Sequence, residues 1–221
     1  MSSALSSVVA FAAGVALSPF PIVAIILVLF SRRARVNGPV FLAGWTVGLS
    51  VVVTATFLLV DRLDMGGDDG SGAISWWRLL LGGVLLAAAR RKWRSGSDPV
   101  DEREQPRWMS SVEESTPRQV AALSVALSFN PKNLALAVAA GATLGELEPS
   151  TAEAAIALMA FVVIGSTPVI LAVTYHAVGG ARSTARLETA RAWLSVHHAA
   201  MLAALYLVFG LLLISGGLGL R

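Results

Sequence analysis

The 221-residue sequence contains no cysteine, which excludes disulfides, thiolate metal sites and any thiol-disulfide relay. Charge is scarce as well: 14% of the residues are Asp, Glu, Lys or Arg, against 55% hydrophobic, and the mean hydropathy is +0.70. A water-soluble globule of this size needs far more charge to cover its surface, so a soluble enzyme, a disordered chain and a nucleic-acid-binding domain are excluded. The composition is that of a membrane protein. Walker loops, dinucleotide fingerprints and Gly-x-Ser-x-Gly turns are missing too, so no cofactor is expected and the chain is not read as an enzyme. Energy for any transport would come from an ion gradient or a partner.

What is present is a series of apolar runs at 4–30, 39–60, 73–89, 119–144, 154–176 and 198–218. A helix needs about 20 mainly apolar residues to cross the hydrocarbon core, which predicts an all-α membrane protein with six transmembrane helices. Arg32, Arg33 and Arg35 follow the first run rather than precede it, so that run reads as an uncleaved first helix and not a signal peptide. Three Lys or Arg residues fall in 31–38, seven in 90–118 and three in 177–197, whereas 61–72 carries Arg62 among four aspartates and 145–153 has no basic residue. The positive-inside rule then places both termini outside and the basic loops in the cytoplasm. The longest polar stretch, 91–117, holds Pro99, Pro106 and Pro117 and reads as a cytoplasmic linker between a first three-helix unit (1–90) and a second (118–221). Glycines at Gly44/Gly48 and Gly82/Gly83 suit close helix packing, either within the bundle or in a homodimer.

Val15-Ala16-Leu17-Ser18-Pro19-Phe20-Pro21 in the first helix matches Val125-Ala126-Leu127-Ser128-Phe129-Asn130-Pro131 in the fourth. A duplicated unit of three spans must enter the membrane from opposite sides, giving inverted repeats, an architecture of secondary transporters. Proline removes a backbone hydrogen bond and crowds the preceding turn, so Pro19, Pro21 and Pro131 are expected to break helices 1 and 4. Freed backbone groups at membrane depth must face protein or a wet cavity. Ser166-Thr167-Pro168 in the fifth helix is a further break candidate, or a simple kink.

Asn130-Pro131-Lys132-Asn133 lies near the middle of the fourth span. A lysine there is too deep to snorkel to either surface. All 14 acidic residues sit in loops or at helix ends, so the partner of Lys132 is either a carbonyl freed at a break or an anionic group that arrives with a substrate. Ser18, Ser128, Asn130 and Asn133 would supply hydrogen bonds, and Thr46, Ser166 and Thr167 would complete a polar lining. A lysine that only pins helices together is the alternative. His176, His197 and His198 fall at the ends of the last two helices without metal-ligand spacing, and no metal site is expected.

These motifs, Ala16-Leu17-Ser18-Pro19-Phe20-Pro21-Ile22, Gly44-Trp45-Thr46-Val47-Gly48, Asn130-Pro131-Lys132-Asn133 and Ser166-Thr167-Pro168, in that order over six spans, resemble the lysine exporter superfamily. Within it they resemble the sulfolipid-1-addressing or peptidoglycolipid-addressing proteins of mycobacteria and relatives. A preference for Arg over Lys fits a GC-rich actinobacterium. The resemblance implies an inner-membrane translocation factor that moves a glycolipid towards the cell envelope, alongside large lipid transporters and synthetic enzymes. A site whose buried charge is Lys132 suits an anionic or polar lipid headgroup. Export of small solutes such as amino acids is one alternative, and a non-transporting adaptor for lipid-synthesis machinery, acting through 91–117, is another. A lipid-headgroup transferase would need the histidines as its base.

Overall fold

A computed structural model describes residues 2–62, 76–94 and 114–218. These residues form seven helices: α1 (Ser2–Ala16), α2 (Pro19–Leu29), α3 (Ala34–Arg62), α4 (Trp76–Arg94), α5 (Pro117–Ser128), α6 (Pro131–Gly145) and α7 (Thr151–Gly217). The protein is all-helical over the described residues, and helices 1 and 4 of the sequence reading are each broken in two. The first break bends α1 against α2 by 48°. Most of the linker expected at 91–117 lies outside the described residues, although α4 reaches Arg94.

Three helical stretches are long and apolar enough to cross a membrane, Ala34–Leu59, Thr151–Gly179 and Thr184–Gly217, and a fourth is added if the bent α1–α2 pair counts as one span. At 12 and 15 residues, α5 and α6 are each too short to span alone. Outward-facing Leu80, Met159, Leu171 and Val178 are well exposed, as lipid-facing side chains would be.

The 67-residue α7 is not straight. Gly165 lies against Val15, while Phe209 lies against the adjacent Gly14; on a straight helix positions 165 and 209 would be about 66 Å apart at 1.5 Å per residue. The helix therefore folds back, and both arms meet the end of α1. This corrects the expectation of a loop at 177–197, which is helical. Its Ala, Arg, Leu and Glu residues are strong helix formers; the charge that sets the segment apart in the sequence does not keep it out of a helix. Pro168 is likewise no break, since α7 runs through it.

Helix starts follow local chemistry. Thr116 and Gln119 form a capping box at α5, and Ser150 and Glu153 form one at α7, each satisfying two otherwise unpaired amides. Glycines set the closest approaches. Gly44 faces Ser124 and Gly48 faces Ser128, drawing α3 onto α5; Gly141 in α6 meets the α3 backbone at Val53 and Phe57; Gly82 in α4 meets Gly210 and Ile214 in α7. Gly44, Gly48 and Gly82 are thus used inside the bundle, while Gly83 faces open space.

Candidate functional site

The two breaks have one construction. Ser18 is the N-cap of α2 with extended backbone (φ −73°, ψ 118°), and Pro19 opens the helix; Asn130 caps α6 (φ −53°, ψ 137°), and Pro131 opens it. Proline is well placed there because the first amides of a helix have no intrahelical acceptor. Pro21 falls in the same first turn of α2 and so lies within that half-helix, not at the break. The structure pairs Ser18 with Asn130 and Pro19 with Pro131, two residues away from the sequence register that pairs Ser18 with Ser128 and Pro21 with Pro131. Identity of side chains set the sequence register; capping geometry sets the structural one.

At the first break the last turn of α1 tightens. Pro19 has no N–H to give Val15, and the Ser18 amide donates to the Val15 carbonyl instead (3.0 Å). The Gly14 carbonyl, which Ser18 would serve in a continuous helix, is left over. Lys132 takes it: Nζ donates to the Gly14 oxygen at 2.8 Å, and the side chain is 3% exposed. The mid-chain lysine therefore bridges the two breaks through a backbone carbonyl, one of the two partners its sequence environment allowed.

Around it, the Asn130 side chain accepts from the Lys132 amide (3.1 Å), and Asn133 Nδ2 donates to the Leu127 carbonyl at the end of α5 (3.2 Å). Asn133 is 0% exposed, and its Oδ1 has no partner among the described residues. Ser128 is buried, with its hydroxyl donating to Val125 (2.6 Å). Ser18 is buried and makes no capping bond with its side chain. Ser166 is 0% exposed with an unpartnered Oγ, and its neighbour Gly165 packs on Val15 and Leu49, bringing this part of α7 to the end of α1.

Two expected lining residues stand apart. Thr46 donates to Leu42 and Ala43 in its own helix, and Thr167 is exposed and donates to Val163. Such hydroxyl-to-carbonyl bonds within a helix leave neither side chain directed at Lys132. For Thr167 the bonded carbonyl is that of Val163, the residue before Ile164, whose carbonyl Pro168 deprives of an amide, so this hydroxyl does not repair the freed carbonyl.

Residues that sequence reasoning missed are backbone or indole groups. Gly14 acts through its carbonyl, and the signal for it was its position four residues before Ser18-Pro19. Trp45 is 1% exposed with an unpartnered Nε1; within a glycine-rich packing motif nothing marked its indole as polar. The histidines are not gathered at this site. His197 and His198 bond to Trp193 and Ser195 carbonyls, and His198 meets Phe20 edge-on at 6.3 Å.

Taken together, these groups are an amine held by one carbonyl, with an amide oxygen, a hydroxyl and an indole N–H that are unpaired among the described residues. No curated protein and no solved structure matches the chain. The family model described as Sap, sulfolipid-1-addressing protein, matches residues 8–219, a range that holds both breaks and every residue of the site. The chain belongs to the sulfolipid-1-addressing protein family.

Proposed function

We propose that this protein is an inner-membrane translocation factor that binds the headgroup of an anionic or glycosylated lipid between its two broken helices and moves the lipid towards the cell envelope. In this reading the chain crosses the membrane six times as two inverted three-helix repeats (1–90 and 118–221), with both termini outside. Lys132 supplies positive charge; Asn130, Asn133, Ser18, Ser128 and Ser166 supply hydrogen bonds. Large lipid transporters or synthetic enzymes would deliver the lipid, and the protein itself would have no catalytic role.

The observation that carries the proposal is the state of Lys132. An ammonium has three protons to donate, and among the described residues one is taken, by Gly14. Burying a charge without full compensation costs several kcal/mol, and a sulfate, phosphate or carboxylate offers the oxygens that the protein withholds. A cationic amino acid would worsen the imbalance, so this geometry favours an anionic headgroup over basic solutes. Mass spectrometry of lipids co-purifying with the detergent-extracted protein tests it. Wild type should carry a specific anionic or glycosylated lipid that Lys132→Ala lacks at equal helicity. Bulk membrane lipid alone in both samples would refute the headgroup reading.

A further inference from the structure

A second concentration of charge lies away from Lys132. The turn between α2 and α3 and the first arm of α7 line an open surface concavity of about 550 Å³ whose walls include Ser31, Arg32, Arg33, Arg35 and His176, with the three arginines exposed. Ala34, the first residue of α3, also lines it, so the positive end of a 29-residue helix dipole opens into the same space. Among the described residues no acidic residue lines the cavity and none of the three arginines forms an ion pair. His176 Nδ1 is buried and has no partner among the described residues. Ser31 is held in place, its hydroxyl donating to the Val28 carbonyl (2.7 Å) and accepting from Asn37 Nδ2 (3.3 Å).

The positive-inside rule accounts for basic residues in this turn by number alone. It does not require three guanidinium groups to share one concavity with a histidine from another helix. Guanidinium forks match tetrahedral oxyanions with paired hydrogen bonds. The cavity also sits where the apolar α2 ends and the spanning part of α3 begins, the depth of lipid headgroups. We propose that this cavity binds a phosphate or sulfate oxyanion, carried on a lipid headgroup or free in solution, at a site separate from Lys132.

Native mass spectrometry of the full-length chain released from detergent, offered equal phosphatidylglycerol and diacylglycerol, which lacks the phosphate, tests this. Wild type should retain phosphatidylglycerol preferentially. Replacing Arg32, Arg33 and Arg35 together by lysine keeps the charge, and with it membrane insertion, but removes the forks; His176→Gln leaves every arginine in place. Each should reduce the preference about tenfold, the equivalent of one lost charge-assisted contact. Inorganic phosphate or sulfate that displaces the lipid would place recognition in the oxyanion itself; failure to displace it, with the preference still lost in both variants, would place it in the lipid-borne group. The absence of any preference, or a preference unchanged in both variants, would overturn the site and leave the arginines as bare topological charge.

Discussion

Gly141→Ala should leave the protein less stable than Gly83→Ala, although both substitutions bring the same gain in helix propensity. An alanine Cβ at this position would lie 2.8 Å from the Val53 carbonyl oxygen, 2.9 Å from the Phe57 nitrogen and 3.0 Å from the Thr56 Cβ, where unstrained contacts begin at about 3.5 Å. Two of these atoms are backbone, so no rotamer change relieves the clash and α6 must retreat from α3 by roughly 0.5–1 Å in a close-packed interior. Overpacking of this kind costs about 1–3 kcal/mol, set against a propensity gain of about 1 kcal/mol. Gly83→Ala supplies the control, because nothing lies within 4 Å of its new Cβ and only the gain remains. The difference between the two variants cancels the propensity contribution and isolates the overpacking, at about 1–3 kcal/mol. Thermal unfolding followed by circular dichroism in one detergent should rank Gly83→Ala above wild type and Gly141→Ala below Gly83→Ala, each kcal/mol moving Tm by about 2–4 °C. A Gly141→Ala protein that melts with or above Gly83→Ala would refute the close approach of α3 and α6. The approach bears on function because Lys132 lies on α6, and a retreat of that helix loosens its bond to Gly14.

Lys132→Met should separate function from stability. The bond to the Gly14 carbonyl, worth about 1.5–3 kcal/mol for a charged donor, is lost together with an ammonium burial cost of similar size, so Tm should change little while retention of the co-purifying lipid disappears; a large drop in Tm with lipid retained would make the lysine a structural pin. Pro19→Ala restores an amide for Val15 and frees the Ser18 amide to return to Gly14, in competition with Lys132. Lipid retention should fall by an amount approaching that of Lys132→Met, with helicity equal to or above wild type, and an unchanged lipid profile would contradict the role given to the freed carbonyl. Thr116→Ala removes the hydroxyl that caps α5 and should cost about 1 kcal/mol, read as a lower Tm without loss of lipid.

The breaks were legible because proline and a capping side chain leave a local signature: Ser18-Pro19 and Asn130-Pro131 each prescribe an extended residue followed by a helix start. Thr167-Pro168 carries the same signature, yet α7 runs through it, and the neighbouring Gly165 lies against Val15 of α1, a contact remote in sequence. Burial of Lys132 followed from its distance to either end of an apolar run. Its partner was legible as a class, a freed carbonyl, but Gly14 became identifiable only when the tightened last turn of α1 showed which carbonyl was left over. The segment 177–197 was misread because charge density reports on solvation and not on backbone conformation. Thr46 and Thr167 were placed in the lining by composition, whereas the direction of a hydroxyl is fixed by the nearest carbonyl of its own helix.

The doubling back of α7 has a mechanical consequence. The last turn of α1 is gripped at two successive residues, Gly14 by Phe209 of one arm and Val15 beside Gly165 of the other. A joint held on both sides cannot swing freely. Any change in the angle at Ser18 has to displace both arms, and any squeeze of the arms reaches the carbonyl that holds Lys132. The first break therefore behaves as a lever that couples the two arms, and not as a slack elbow that absorbs their motion.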